Sequence, residues 1–460
     1  MSDTLDDRLA ELGALGERIV ERAQAGGATV AECILRTGAE LSTKVRLGFP
    51  ELVEEAGHHA AGLRVMKGQH VATTSTSDLT PAGIDRFVAD ALELTDLSQE
   101  DPFAGPARPE LLASPSDLVD LDLYDPSGGA LGAAQAITFA TAAEASARAF
   151  DPRITNSEGA TFGRAAGGAV LVLSSGFRAV TKGSYQSLSV VPVAADEGNK
   201  NRRGSHWTAS RYLAELEAAE LVGREAARRT LQKLGARSVG TCEVPVVFHR
   251  EAARSLVGMF AGCVMGSSIW RKSSYLVGRE GTRVASDAVT MVDDPLVPRG
   301  PGSRAFDGEG LRARRNVVVE NGVLRMYLCD SYSGRKLGRE STGNASRGGG
   351  AGVGPGTSNF LLQPGAQSFE EILASTKQGL LVTEMMGFGF NAVTGDFSRG
   401  ASGFWIESGE LAFPVSEVTI SLNIDELWQR IDAIGSDPDL RTSVVSPTLR
   451  VARMTVAGSG

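Results

Sequence analysis

The sequence predicts an α+β protein: an N-terminal α+β region of two modules, followed by a C-terminal antiparallel β-sheet or barrel-like domain with peripheral helices. With 460 residues, the chain is too long for one ordinary core. Amphipathic helices and strands mix up to about residue 235, whereas short strands alternate with Gly-rich turns from 236 onward. The predicted parts are a first module (1–97), a linker (98–127), a second module (128–235) and a β-rich domain (236–460).

The first module opens with a helix over residues 6–24, where leucines recur at helical spacing. The stretches "TVAECILRTG" and "ELSTKVRLG" then alternate like two strands joined by a tight Gly-containing turn. Next comes a hairpin that turns at Lys67-Gly68. A helix with Thr80 as N-cap and Pro81 in its first turn closes the module.

The second module follows a linker that is rich in Pro, Asp and Ser. We expect a helix at about 129–150 and two long strands within 169–196. The polar, Gly-containing residues 196–210 predict a mobile loop. A long amphipathic helix is predicted over 213–235.

The C-terminal part contains short strands such as "CEVPVVF", "RNVVVENGVLRMYLCD", "SGFWIESGELAFPV" and "EVTISLN". The letters "ENGV" and "ESGE" between strands are hairpin turn signatures. We therefore expect an antiparallel sheet or barrel.

Charge and hydropathy exclude several classes of partner. The net charge of −9 argues against nucleic acid and anionic membrane surfaces as general partners. No apolar run approaches the roughly 20 residues of a membrane span, and the start lacks the pattern of a signal peptide. The 4 cysteines suggest no disulfide framework. We therefore expect a cytoplasmic protein.

The stretch "VVFHREAARSLVGMF", residues 246–260, resembles the start of a metal-binding helix. If His249 and Glu251 bound zinc, a second ligand should follow on the same face, but Ala252, Ala253 and Arg254 occupy those positions. A guanidinium does not ligate zinc, and its charge repels the ion. The residues themselves favour an ordinary capped helix with an exposed Glu251–Arg254 pair.

Other candidate motifs lack their required context. The Gly-rich "RGGGAGVGPGT", residues 347–357, has no GK[ST] and no following helix, which favours a flexible or substrate-lining loop. "SGRK", residues 333–336, lacks the partner motifs of penicillin-binding proteins. The 5 histidines show no metal-like spacing, and "GHHA" at His58 and His59 predicts a polar turn.

The stretch 391–417 permits two interpretations. Asp396 and Arg399 lie among glycines just before Phe404 and Trp405. Glycines beside strands allow another backbone to approach, which suits an extended peptide that pairs with a sheet edge. A Gly-rich hairpin within a barrel explains the same letters.

Long motifs in the C-terminal half resemble the TldD/PmbA family, and its TldE (PmbA) branch in particular. They are "TGDFSRGASGFWIESGELAFPVSEVTI", "YLCDSYSGRKLGRESTGNASR" and the closing "LWQRIDAIGSDPDLRTSVVSPTLRVARMTVAG". The likeness is strongest over about 236–460; residues 1–235 resemble the family more in layout than in letters.

The resemblance implies a degenerate zinc site. The TldD branch has an H-E-x-x-x-H helix and a Cys ligand near the C-terminus. Here His249 keeps the first ligand position, Arg250 replaces the catalytic Glu, and Arg254 replaces the second His. "RTSVV" stands where the Cys-containing segment would be, and no Cys follows Cys329.

We therefore expect a non-catalytic subunit without a metal of its own. Its partner would be a zinc-carrying TldD-like subunit in a heterodimer, and its substrates unfolded peptides, including leader peptides. We expect the Gly-rich 387–405 region, with Asp396, Arg399 and Phe404, to lie near the bound peptide. Two alternatives remain: a stand-alone peptidase with an atypical site from His249, Glu251 and a cysteine, or a peptide-binding homodimer.

Overall fold

The computed structural model describes residues 4–348 and 350–458, apart from the side chain of Asn199. The α-helices are α1 Leu5–Ala25, α2 Pro81–Leu97, α3 Pro126–Gly129, α4 Ala133–Ala149, α5 Ala219–Leu231, α6 Arg250–Cys263, α7 Gly266–Trp270, α8 Ser331–Lys336, α9 Phe369–Ala374 and α10 Ile424–Gln429. Short 3-10 helices span Pro109–Leu111, Pro115–Asp117, Glu197–Asn199 and Leu213–Glu215.

The strands before residue 235 are β1 Val30–Arg46, β2 Phe49–Lys67, β3 His70–Thr76, β4 Ile154–Leu173, β5 Arg178–Asp196, β6 Lys200–Arg203 and β7 His206–Ser210. The later strands are β8 Cys242–Phe248, β9 Met291–Asp293, β10 Asn316–Glu320, β11 Val323–Leu324, β12 Ala345–Arg347, β13 Val353–Pro355, β14 Phe360–Leu362, β15 Gln378–Met386, β16 Asp396–Glu407, β17 Glu410–Asn423, β18 Ile431–Ile434, β19 Val444–Val445 and β20 Leu449–Ala457.

The N-terminal sheet is continuous across both predicted modules. Its order is β3-β2-β1-β4-β5-β6, and β7 also pairs with β5. Strands from 1–97 and from 128–235 thus share one sheet, in which β1 pairs with β4. Helices α1 and α2 cover one apolar cluster of the sheet, and α4 and α5 cover a second.

Two predicted turns in this sheet are wrong. Gly38 lies inside the single long strand β1, where it pairs with His58 on one side and Gly167 on the other. His58 and His59 lie inside β2 and not in a turn. Neighbouring strands supply hydrogen-bond partners along β1, and this overrides the weak local preference of glycine for a turn.

Two further expectations in the second module also need correction. Most of the predicted mobile loop 196–210 forms β6 and β7, which pair with β5. The predicted helix 213–235 is shorter, because residues Leu213–Glu215 form a 3-10 helix and α5 covers only Ala219–Leu231. The capped helix at Thr80-Pro81 is confirmed, since the Thr80 side chain accepts from the Gly83 amide.

The C-terminal domain confirms the predicted antiparallel, barrel-like architecture. Five strands follow the order β17-β16-β15-β8-β20, and β20 pairs back with β17 to close the barrel; all of these pairs are antiparallel except β15 with β8, which is parallel. A second sheet has the order β11-β10-β9-β14-β19. The predicted "ENGV" and "ESGE" turns are present, with positive φ at Asn321-Gly322 and at Ser408-Gly409. Helix α6 packs against this domain, and its Phe260 meets Trp428 edge to face at 5.4 Å between ring centroids.

A buried charge cluster joins the N-terminal sheet to the C-terminal domain. Glu32 on β1 is 3% exposed and pairs with Arg64 on β2 at 3.3 Å and with Arg347 on β12. Arg347 also donates to the carbonyl groups of Gly308 and Ala351. Burial raises the pKa of the nearby Glu309 to about 7, and the Asp307 carboxylate adds to the rise. The two halves of the molecule are thus held together by charge that water does not reach.

The residues after α2 are fastened to α8. The Arg335 guanidinium donates to the carbonyl groups of Phe103, Gly105 and Pro106, at 2.6, 2.9 and 3.1 Å. The Lys336 ammonium lies 4.0 Å from the centroid of the Phe103 ring. The "SGRK" letters therefore serve an internal contact. No helix in the described part of the chain is both long and apolar enough to cross a membrane.

Candidate functional site

His249 directly follows β8 and caps α6. Its backbone N–H donates to the Val382 carbonyl at 3.0 Å, which ties it to β15. Its Nδ1 accepts from the Glu251 amide at 3.5 Å, so the imidazole satisfies one of the free donors of the helix N-terminus. The ring meets Phe369 edge to face, with 6.0 Å between the centroids. The capped helix predicted at this position is confirmed.

Burial lowers the pKa of His249 below its ordinary value, although the Glu251 carboxylate opposes the shift. The unfolded chain, with an ordinary pKa near 6.5, then binds more protons than the folded chain as the pH falls below about 6.5. Protonation of His249 thus lowers stability in this range. For His249→Asn, which keeps a cap but does not titrate, we expect the melting temperature relative to that of wild type to rise progressively as the pH falls from 7.5 to 5. Melting curves at several pH values test this, and a constant difference would contradict it.

Glu251 binds two arginines that are distant in sequence. Its carboxylate accepts from Arg229 on α5 at 3.0 and 3.1 Å, and from Arg441 at 3.1 Å. The predicted exposed pair of Glu251 with Arg254 is wrong, because the Glu251 side chain is only 18% exposed and points to these arginines. Burial would raise the pKa of Glu251, but the hydrogen bonds and charge of Arg229 hold it below its usual range.

Arg254 lies beside the "RTSVV" segment, where the resemblance implies a Cys-containing segment. Its guanidinium donates to Thr442 Oγ1 at 3.4 Å and lies 5.8 Å from the Trp207 ring centroid. Arg441 stacks on the same ring at 4.2 Å and pairs with Asp439 at 2.8 and 2.9 Å. The structure therefore brings the helix and the "RTSVV" segment together, as the resemblance implies for two parts of one site.

Sequence reasoning missed four members of this network. Trp207 lies on β7, within the stretch predicted as a mobile loop. Arg229, Asp439 and Arg441 carry no motif of their own. Only the position of Arg441 beside "TSVV" offered a signal, because the family's missing Cys segment maps there.

The residues at this position do not fit a zinc ion. Arg250 and Arg254 present guanidinium groups where the resemblance implies a carboxylate and an imidazole. Arg229 and Arg441 occupy the Glu251 carboxylate. Among residues 4–348 and 350–458, no group of three or more His, Cys, Asp or Glu side chains could hold a metal ion. The network instead pairs arginines with carboxylates around Trp207.

The predicted peptide-guiding residues lie on β16 but not together. Asp396 is exposed at the start of the strand, eight residues from Phe404, which is about 26 Å along an extended chain. Phe404 is half-buried and packs on an apolar cluster that includes Leu381 and Ile372. Because β16 pairs with β15 and with β17, no sheet edge is free here for an added peptide strand. A role of Asp396, Arg399 and Phe404 in peptide guidance stays a prediction.

The Gly-rich stretch 347–357 lies beside the buried charge cluster. Arg347 belongs to that cluster, and Ala351 packs close to Gly62 on β2. Gly349 lies outside the described residues. The described part of the stretch therefore contacts the N-terminal sheet.

Three family models match the chain over most of its length. They are described as PmbA/TldA metallopeptidase domain 1 (residues 31–95), the central domain (126–234) and the C-terminal domain (241–458).

Individual relatives agree with these matches. The chain is 36% identical to the metalloprotease PmbA of Escherichia coli O157:H7 over 93% of this chain and 92% of the relative. It is 34% identical to the PmbA homolog of Haemophilus influenzae over 96% and 94% of the two chains. The crystal structure of TldE from Thermococcus kodakarensis shares the fold, with a TM-score of 0.85, 20% identity, and coverage of 96% of this chain and 100% of that chain.

Proposed function

The chain belongs to the PmbA/TldD family of metallopeptidases, and we propose that it is a non-catalytic, TldE-like subunit of a zinc-dependent peptidase complex. The observation that carries this proposal is the presence of Arg250 and Arg254 at the family's glutamate and second-histidine positions. Of the zinc-site residues that the resemblance implies, His249 alone is retained.

The charges around His249 favour the interpretation that the zinc site has been lost over the interpretation that it binds zinc through other ligands. A Zn²⁺ site needs deprotonated or neutral ligands, usually three or more from the protein. Here the surroundings of His249 contain four guanidinium groups, from Arg229, Arg250, Arg254 and Arg441, against the carboxylates of Glu251, Asp437 and Asp439. A divalent cation placed beside them would be repelled.

The partner in this proposal is a TldD-like subunit that carries the zinc, and the two form a heterodimer. The substrates are unfolded peptides, including leader peptides, and the compartment is the cytoplasm. An extended peptide passes a narrow opening that excludes a folded domain, and recognition through backbone N–H and C=O groups tolerates many sequences. This chain would form part of the wall of the cavity that the two subunits enclose, together with its side of the subunit interface. The partner performs hydrolysis.

Peptide cleavage by separate and mixed subunits tests the proposal. We expect no cleavage of an unfolded peptide by this chain alone, cleavage by its mixture with a TldD-type chain of the same organism, and loss of that cleavage with a chelator. We also expect the mixture to cleave equally well when this chain carries His249→Asn, because its imidazole has no part in hydrolysis.

The alternatives give different results. Cleavage by this chain alone, with a bound metal found by elemental analysis and activity lost in His249→Asn, would establish a stand-alone peptidase. Peptide binding by a homodimer, with no complex on mixing, would establish a peptide-binding protein. Either result overturns the proposal.

A further inference from the structure

Strand β2 is much longer than the strand that pairs with its outer side. β3 pairs with β2 only from Ala61 to Lys67. Residues 49–60 pair with β1 on their inner side, and no strand in the described part of the chain covers their outer side. All side chains from 49 to 59 are exposed. The N-terminal sheet therefore ends in an open edge, which we call the β2 edge (residues 52–60).

Within the described part of the chain, the β2 edge lacks lysine, proline, a bulge and a covering strand, which are common protections against strand addition. Natural sheet edges are commonly blocked by lysine, proline, bulges or a covering element. From Leu52 to Ala60 the pairing with β1 is regular, and the stretch contains neither Lys nor Pro; Pro50 and a bulge lie just before it. Its charged side chains, Glu54 and Glu55, repel an acidic strand but admit a basic one. Nine residues at about 3.4 Å each give roughly 30 Å of unpaired backbone groups. Such an edge is suited to accept a strand from another chain.

The turn that leads into this edge, together with the first residues of the edge, is apolar and firmly held. Leu47, Phe49, Leu52 and Val53 are 41%, 75%, 42% and 48% exposed. The buried Glu144 carboxylate on α4 accepts from the backbone amides of Leu47 and Gly48, both at 2.7 Å. The turn before β2 is thus fixed by a polar anchor, and the exposed apolar side chains lie on a preformed surface. Preformed surfaces lose little conformational entropy on binding.

The acidic charges at the edge and just before it favour a basic partner. Glu51, Glu54 and Glu55 fall within five residues. Glu51 pairs with Lys44 and Glu55 with Arg164, whereas Glu54 has no ion pair among the described residues. A partner strand with a basic side chain opposite Glu54 would give that carboxylate an ion pair, because opposite charges on facing strands are stabilising.

We infer that the β2 edge accepts a strand of the partner subunit, and that this strand carries basic side chains opposite Glu54 and apolar ones opposite Leu52 and Val53. The inference rests on the heterodimer proposed above and names the surface through which it forms. The backbone ladder supplies pairing, the apolar end supplies buried area, and the acidic residues select the partner.

The experiment measures the dissociation constant of this chain for a TldD-type chain of the same organism by calorimetry. Two edge variants are compared with wild type: the double variant Leu52→Ser/Val53→Ser, and the charge reversal Glu54→Lys. The matched controls Leu97→Ser and Glu93→Lys change exposed side chains on α2, away from the edge. We expect each edge variant to bind about tenfold more weakly or worse, and each control to bind within about twofold of wild type.

The outcomes separate this inference from the proposed function. If wild type does not bind the TldD-type chain, the heterodimer itself fails, and the inference with it. If wild type and both edge variants bind equally, the heterodimer stands and the inference is overturned. If wild type dimerises alone and Leu52→Ser/Val53→Ser abolishes that dimer, the occupant is a second copy, which also overturns it. Circular dichroism confirms that the exposed substitutions leave the fold intact.

Discussion

Replacing Glu32 with alanine is expected to lower the free energy of unfolding by about 3–5 kcal/mol. The carboxylate is buried between the guanidinium groups of Arg64 and Arg347. Its removal leaves two positive charges without a counter-ion in a place that water does not reach, which costs more than the pair itself contributes. Because Arg347 belongs to the C-terminal domain, the loss also weakens the contact between the two halves.

Urea unfolding of the full chain measures this effect. Glu40→Ala is the matched control, because Glu40 lies on the same strand but is exposed, and we expect it to change stability by less than about 0.5 kcal/mol. Glu32→Gln keeps two polar atoms in place but removes the charge. Its loss of stability should lie between those of Glu32→Ala and Glu40→Ala. A loss below about 1 kcal/mol for Glu32→Ala would show that water or a rearrangement compensates the arginines.

Phe260→Ala is expected to cost about 3–5 kcal/mol of the stability of the C-terminal domain. The Phe260 ring is fully buried and meets Trp428 edge to face, so truncation removes both apolar burial and an aromatic pair. The surrounding barrel strands and helix α6 are packed too closely to close the resulting cavity completely.

Denaturation followed by tryptophan fluorescence measures this second effect, since Trp428 lies beside the cavity. The control is Leu221→Ala on α5, whose side chain is 55% exposed, and its expected cost is under about 1 kcal/mol. If Phe260→Ala lost as little stability as Leu221→Ala, contacts other than the Phe260–Trp428 pair would hold α6 to the barrel.

Local sequence signals correctly predicted those helices and turns whose structure depends mainly on their own residues. The periodic leucines of α1, the Thr80-Pro81 start of α2 and the two Gly-containing hairpin turns are all present. The errors occur where distant segments decide. Gly38 continues a strand because β2 and β4 lie on its two sides, and residues 200–210 form strands because β5 lies beside them.

At the candidate site, too, local sequence signals led to correct predictions, whereas contacts between distant residues could not be predicted. The residue types around His249 argued against zinc, and the family resemblance supplied the reason for a half-formed site. The actual partners of Glu251 could not be predicted, because Arg229 and Arg441 are 22 and 190 residues away in sequence. The expectation of a local pair with Arg254 rested on helix spacing alone, whereas tertiary packing placed two other arginines closer.

The hydrogen bonds from Arg335 to the segment after α2 affect how a protease would cleave the protein. A protease binds its substrate as an extended, accessible stretch, and linkers between domains are usual sites of nicking. Here the Phe103, Gly105 and Pro106 carbonyls are already engaged by one guanidinium, and the Phe103 ring is covered by Lys336. Cleavage at this joint would first require the segment to detach from α8. The chain should therefore persist or be degraded as a whole, without releasing its N-terminal part as a separate fragment.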